Sequence, residues 1–301
     1  MSSHHFTSRY RKNLDWLQSK AVSDLNYDIQ GTFLTLEVDD KELLSLLAER
    51  YGCFFYGEKV SSSRRIKIKK NKRHFIFTDS QGKSFPCRHM GEVLYPYLAH
   101  TFDEIYEALA GHLVFHGSAF STDAGGILIL GRAGAGKTSL LLEMIKRGFS
   151  YISDDVSIVD ISGRKELIPN PQGFKLREPL LSCQGVERSG FKGKYINPCN
   201  IDNLDISSTC PLLAVILLAD EKGNGYAGRP AYFGDYAEPL SKLIIPPSAR
   251  KSSLGTISAL FDKIPLIVMN SSKEIAVEKK AQNILDRLDL NHKGNSTLKA
   301  G

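Results

Sequence analysis

Eight consecutive positions, Gly131-Arg-Ala-Gly-Ala-Gly136-Lys137-Thr138, match the pattern G-x-x-x-x-G-K-[ST] in full. Each residue type in it answers a need of a bound phosphate chain. Glycines let successive backbone N–H groups wrap the β-phosphate, and the N-terminus of a following helix adds partial positive charge. Lys137 supplies a point charge for the β- and γ-phosphates, and the Thr138 hydroxyl can ligate magnesium. Gly131, Ala133, Gly134, Ala135, Gly136, Lys137, Thr138 and Ser139 are therefore expected to cradle a nucleotide. An ordinary glycine-rich turn would account for the glycines alone. It would not account for the strand-like Gly126–Leu130 before them, nor for the helix after them with Leu141, Met144 and Ile145 on one face and Gly148 beyond its end.

Asp154 and Asp155 follow Lys137 by 17 and 18 residues, one helix and one short strand (Ser150–Ser153) downstream. Side chains alternate along a strand, so adjacent carboxylates at its end point in different directions. One can face a metal and the other an incoming hydroxyl, which divides electrostatics from base catalysis. The competing reading is a solvated turn or a helix cap. His116, in Val114-Phe-His-Gly-Ser118, stands just before the strand that leads to the glycine loop. It reads equally as a satisfied core histidine and as a partner of the acidic pair in proton movement.

These residues need a scaffold, and the chain is long enough to supply one. At 301 residues, with 42% hydrophobic and 24% charged positions, it has an ordinary globular composition and room for two domains. The longest apolar run, Leu212–Ala219, is far short of a membrane span, and the first 20 residues lack a secretory signal, so a cytoplasmic protein is expected. Five cysteines, odd in number and without C-x-x-C spacing, read as reduced thiols. A formal charge of +6 suits phosphate ligands or acidic peptides and falls short of a nucleic-acid signature.

Thr32–Val38 alternates as a strand, and Asp39 with Glu42 resembles the start of a helix burying Leu43, Leu44, Leu47 and Ala48. Ile66 and Ile68 alternate with lysines, and Phe75 and Phe77 follow, as in a hairpin. The basic run from Arg64 to Arg73 fits a solubilised edge hairpin or a docking surface for an acidic peptide. Glu92–Leu113 reads as helical, Leu212–Ala219 and Pro265–Met269 as buried strands, and Val277–Leu288 as a final helix. A loop-rich section near 170–205 includes Gln184–Lys194, which reads as a cationic lid or a plain exposed loop, and Lys175, Arg177 and Arg229 are further cations that could reach phosphate.

The stretch FHGSAFSTDAGGILILGRAGAGKTSLLLEMIKRGFSYISDDVSIVD resembles the catalytic core of the HPr kinase/phosphorylase family, shared more distantly with phosphoenolpyruvate carboxykinase. His-Gly, the glycine loop, the Lys-Arg-Gly-Phe helix exit and Ser-Asp-Asp occur in the family's order over about 45 residues. LEVDDKELLSLLAERYG is similar to the N-terminal domain of a subgroup of HPr-kinase-related proteins. The resemblance implies ATP and Mg2+ as ligands, with Thr138 and Asp155 on the metal, Asp154 as general base toward a serine hydroxyl, and His116 beside it. The family's second signature, Arg-Gly-Leu-Gly, is absent, and the corresponding region reads NPQGFKLREPLLS. That departure argues against the phosphorylase half-reaction and against HPr itself as acceptor.

The expected architecture is α/β: an N-terminal α+β module over 1–90, an HPr-kinase-like P-loop domain with a mixed sheet over 91–290, and a polar tail over 291–301. The expected activity is transfer of the γ-phosphoryl group of ATP to a serine of a peptide or protein, such as a ribosomally made precursor peptide. A homo-oligomer is compatible with the family, and neither nucleic acid nor membrane is expected as a partner. The alternatives are a bifunctional HPr kinase/phosphorylase and a regulatory ATP-binding module without catalysis.

Overall fold

Period-two alternation builds the first sheet. In the computed structural model, which describes residues 24–55, 64–176, 194–201, 204–220, 229–245, 254–262, 264–272 and 275–290, five strands pair in chain order. They are β1 (Asp24–Ile29), β2 (Thr32–Val38), β3 (Arg64–Asn71), β4 (His74–Thr78) and β5 (Ser84–Cys87). All neighbours are antiparallel except β2 and β3, which run parallel and so need a crossover. Helix α1 (Lys41–Tyr51) lies within it and buries Leu43, Leu47 and Ala48. Its cap is Asp40, one residue later than the sequence suggests: the Asp40 carboxylate accepts from the Leu43 N–H (2.9 Å), while Asp39 accepts from the Lys70 N–H.

The lysine-bearing β3 is the central strand of this sheet, not an edge. Ile66 and Ile68 are fully buried on one face while Lys67 and Lys69 stand exposed on the other. The basic alternation is therefore the solvated side of a one-face-covered sheet, and edge protection does not explain it.

The chain divides into two compact units, Met1–Ala110 with Pro171–Asp202, and Gly111–Asn170 with Asn203–Gly301. The helical stretch Met90–Glu107, which ends in α2 (Ala99–Glu107), thus groups with the N-terminal unit rather than with the P-loop. Aromatic packing explains why: Phe102 stacks on Tyr51 (4.3 Å between ring centres) and Tyr97 on Phe77 (5.2 Å). The same unit takes the two-stranded ladder of β12 (Phe174–Leu176) and β13 (Lys194–Ile196).

The second unit is a mixed sheet. Its main path runs β6 (His112–Phe115), β10 (Ser157–Asp160), β11 (Glu166–Ile168), β14 (Cys210–Ala219), β8 (Gly126–Gly131), β7 (Gly117–Ser121) and β9 (Ser150–Ser153). β16 (Leu266–Asn270) joins β14, and β15 (Arg229–Ala231) joins β16. β8 lies parallel to β14 and antiparallel to β7. Both inner strands are apolar runs: Ile127, Leu128, Ile129 and Leu130 on β8, and Val215 and Ile216 on β14, are fully buried. Helices α3 (Lys137–Lys146), α4 (Phe233–Ser241), α5 (Leu254–Phe261) and α6 (Val277–Leu288) complete the unit. No helix among the described residues is long and apolar enough to cross a membrane.

Candidate active site

Strand β8 delivers the chain to the loop that opens α3. At its last residue, Gly131, φ is 157° and an added Cβ would lie 2.9 Å from the Leu218 carbonyl of the neighbouring β14, so close strand packing requires glycine there. Gly136 caps α3 in the left-handed region (φ 96°). The first turn of that helix has no intrahelical partners for its N–H groups, which makes it an anion site by construction. Lys137 is buried, and its ammonium donates to the carbonyls of Gly131 (2.7 Å) and Arg132 (3.2 Å), lying across its own loop.

Beyond β9 the backbone turns sharply. The Val156 N–H donates to the Asp154 carbonyl (2.8 Å), and Asp155 between them has φ 68°. The two carboxylates diverge because of this three-residue turn rather than by strand alternation. Asp154 points inward and is 2% exposed. One of its oxygens accepts from the Ser118 hydroxyl (2.5 Å), and both lie within reach of the Thr138 hydroxyl (3.0 and 3.1 Å). Burial pushes its carboxyl up to about 6; the Ser118 bond opposes that rise and the Asp155 charge adds to it.

Asp155 points outward, with its side chain 37% exposed and an oxygen 3.2 Å from His116 Nδ1. The same ring nitrogen is 3.0 Å from the Asp155 carbonyl oxygen. Two acceptors face Nδ1, so the neutral ring carries its proton there and leaves Nε2 as an acceptor. Burial, then the nearby Lys137 charge, holds the His116 pKa below its ordinary value, which favours that neutral ring. His116 is fixed from its backbone as well, by an N–H bond to the Leu243 carbonyl (2.6 Å).

The glycine loop, the acidic pair and His116 thus converge in one unit, but with partners other than those expected. Thr138 meets Asp154, where the sequence pairs it with Asp155, and His116 meets Asp155, where the sequence sets it beside Asp154. Two contributors escaped the sequence reading. Ser118 is fully buried on β7, two residues past His116 on the strand beside β8. Asp220 ends the apolar run of β14, accepts from the Ser271 hydroxyl and forms an ion pair with Arg132 of the glycine loop. An apolar strand ending in aspartate was the available signal for it. Lys175 belongs to the first unit, where its ammonium lies 4.9 Å from the centre of the Tyr95 ring. Arg177, residues 184–193 and the Arg229 side chain lie outside the described residues.

The hard oxygens of Thr138 and Asp154 fit Mg2+, which takes one or two protein ligands and completes its shell with water and phosphate oxygens. Among the described residues, no group of three or more His, Cys, Asp or Glu could hold a metal by itself.

Residues 107–186 match the HPr Serine kinase C-terminal domain. An HPr kinase/phosphorylase of Chlorobium limicola (strain DSM 245 / NBRC 103803 / 6330) is 24% identical over 184 residues, covering 61% of this chain and 53% of that protein. An HPr kinase/phosphorylase of Chlorobium phaeobacteroides (strain BS1) is 27% identical over 66 residues, 22% of this chain and 20% of that protein. The chain therefore spans about half the length, or less, of these curated relatives. Among solved structures, the HPr(Ser) kinase/phosphatase from Coxiella burnetii aligns at 16% identity and a TM-score of 0.35, over 58% of this chain and 88% of that one.

Proposed function

We propose that this chain, whose residues 107–186 match the HPr Serine kinase C-terminal domain, is a kinase of that type and transfers the γ-phosphoryl group of ATP to a serine hydroxyl of a peptide or protein. The glycine loop and the first turn of α3 hold the phosphates, and Lys137 turns from its loop carbonyls to the β- and γ-phosphate oxygens. Thr138 and Asp154 would hold Mg2+. The chemistry such an ion would supply there is neutralisation of charge on the phosphate oxygens.

Asp155 is the general base. The observation carrying this assignment is the unequal engagement of the two carboxylates: Asp154 is buried under two hydroxyl donors, whereas Asp155 is partly exposed beside a neutral histidine. A base must reach the proton of an incoming hydroxyl, and an enclosed carboxylate does not. The serine proton passes to Asp155 as the serine oxygen attacks the γ-phosphorus, and the bond to the β–γ bridging oxygen breaks to release ADP. The Nδ1–H of His116 orients the Asp155 carboxylate throughout. The roles that the sequence assigned to Asp154 and Asp155 are thereby exchanged.

The acceptor is a serine-bearing peptide or protein, with a ribosomally made precursor peptide as a leading type. The protein works in the cytoplasm, with a homo-oligomer as its proposed state. HPr is the rival acceptor because the curated relatives carry its name. The test is transfer from γ-labelled ATP with magnesium to serine peptides and HPr in parallel. Label on an acceptor with the wild type, lost in both Lys137→Ala and Asp155→Asn, is the expected result. Retained labelling in Asp155→Asn refutes the base assignment. ATP binding with transfer to no hydroxyl supports a regulatory module instead.

A further inference from the structure

The first unit holds a pair of thiols whose closeness is set by a single asparagine. Cys53 lies in the turn after α1 and Cys199 in the turn after β13. Their sulphurs are 3.2 Å apart, and both residues are buried, at 2% and 7% exposure. Asn197, fully buried, reaches both: its Oδ1 accepts from the Cys53 thiol (3.2 Å) and from the Cys199 N–H (2.9 Å). Its Nδ2 donates to the carbonyls of Ala48 and Glu49 at the end of α1, and its own N–H donates to the Glu49 carboxylate (3.0 Å).

The entering leg of the same 171–202 segment is fastened equally closely. The Gly173 N–H donates to the Arg50 carbonyl (2.7 Å), and a Cβ on Gly173 would lie 2.3 Å from the Glu49 carbonyl. The Arg50 guanidinium donates to the Tyr195 hydroxyl (2.7 Å) and lies 4.9 Å from the centre of that ring. Backbone and side-chain contacts thus hold the two thiols in register, and only about 1.1 Å of further approach separates them from a bond of about 2.05 Å. Cys87, on β5, has its thiol turned to the Phe85 carbonyl instead.

We propose that Cys53 and Cys199 are a redox modification site, a dithiol whose oxidation latches the 171–202 segment covalently to the end of α1. The co-reactant is a small disulfide such as oxidised glutathione. One cysteine thiolate attacks it and expels a glutathione thiolate, giving a mixed disulfide. The second thiolate then displaces the other glutathione. The protein loses two protons and two electrons, and one glutathione disulfide becomes two glutathione thiols. Burial and the neighbouring Cys199 raise the Cys53 thiol well above its ordinary value, so the exchange quickens with pH. This inference stands apart from the catalytic assignment, since it uses no residue of the phosphate site.

The experiment oxidises the folded full-length protein with glutathione disulfide, and in parallel refolds reduced chain in a glutathione redox buffer so that equilibrium rather than access decides the outcome. Thiols are then counted in denaturant, and the linked peptides are identified by mass spectrometry. The five thiols of the reduced chain should fall to three, with one linked pair containing Cys53 and Cys199. Cys53→Ser and Cys199→Ala should each keep all their remaining thiols. The bridge closes a long loop, so the oxidised protein should unfold at a temperature higher by about 5 °C or more. Five persistent thiols in both arms, or a bridge to Cys87, Cys183 or Cys210, overturns the proposal. A Cys53–Cys199 bridge that leaves the Tm unchanged overturns the latch.

Discussion

Replacing Asp154 with asparagine should make the protein more stable at neutral pH while impairing its metal site. The carboxyl is shifted from an ordinary 3.8 to about 6, chiefly by burial. A rise of about two pH units corresponds to about 3 kcal/mol between the two protonation states. The sign follows from proton counting. Between the two values the native state binds more protons than the unfolded chain, so stability falls as pH rises. The contribution of the protonated form is complete below the unfolded value and is lost as pH passes through the native one. Asparagine does not titrate, and its amide can meet the Ser118 and Thr138 hydroxyls that face the carboxylate. The stability gap, variant minus wild type, should therefore grow from near zero around pH 4 to about 3 kcal/mol around pH 8. Urea unfolding followed by circular dichroism, metal-free, across that range measures it. Adding magnesium and ATP at neutral pH should then stabilise the wild type more than the variant, because only the wild type retains the carboxylate proposed as a ligand. A gap that stays constant with pH, or a variant less stable at the alkaline end, refutes the reading of Asp154 as a buried, costly carboxylate.

Asp155→Asn should leave magnesium-dependent ATP binding intact and lower transfer by about 100-fold or more, measured by calorimetry and by γ-label transfer. The opposite pattern, with metal binding lost in Asp155→Asn and transfer alone lost in Asp154→Asn, returns the roles to the sequence assignment. Thr138→Ala should weaken magnesium-dependent ATP affinity by about tenfold, with Thr138→Ser close to wild type, since the hydroxyl and not the methyl faces Asp154. Gly173→Ala should destabilise the first unit by about 1–3 kcal/mol, because the added carbon meets backbone rather than a movable side chain. Limited proteolysis within 171–202 should quicken in that variant, and an unchanged digestion rate counts against the tight docking of Gly173 on α1.

Much of the scaffold was legible because its signals are local. The apolar run of β14, the four residues of β9 and the spacing of Ala281, Ile284 and Leu285 on α6 correspond to elements at the expected places. The loop of Gly131–Thr138 was legible for the same reason, a fixed spacing with one backbone solution. The contacts of the two aspartates were not. Strand alternation was the wrong geometry for them, because β9 ends at Ser153 and Asp155 enters the left-handed region, a choice imposed by the Val156 bond. The lysines of β3 misled in another way. Alternation shows that one face is wet, but strand order is a long-range property, and β3 proved central. Asn197 gave no local sign of its bonds to Ala48, Glu49 and Cys53, which lie nearly 150 residues earlier in the chain.

The chain enters the P-loop unit at Gly111, leaves it at Pro171 and returns at Asn203. Neither unit is thus a continuous length of polypeptide, and this has consequences for biosynthesis. On the ribosome the N-terminal unit cannot close when its five-stranded sheet emerges, because β12 and β13 are still to be made. The glycine loop and the acidic pair are translated before that unit is whole, and they wait in turn for β14, β16 and α6. A nascent chain halted near residue 110 should bind chaperones through the uncovered end of α1, and one extended past residue 202 should release them. The first unit is whole once residue 202 is made and the second only after α6, and a gene fragment encoding either one alone must be spliced from separated pieces.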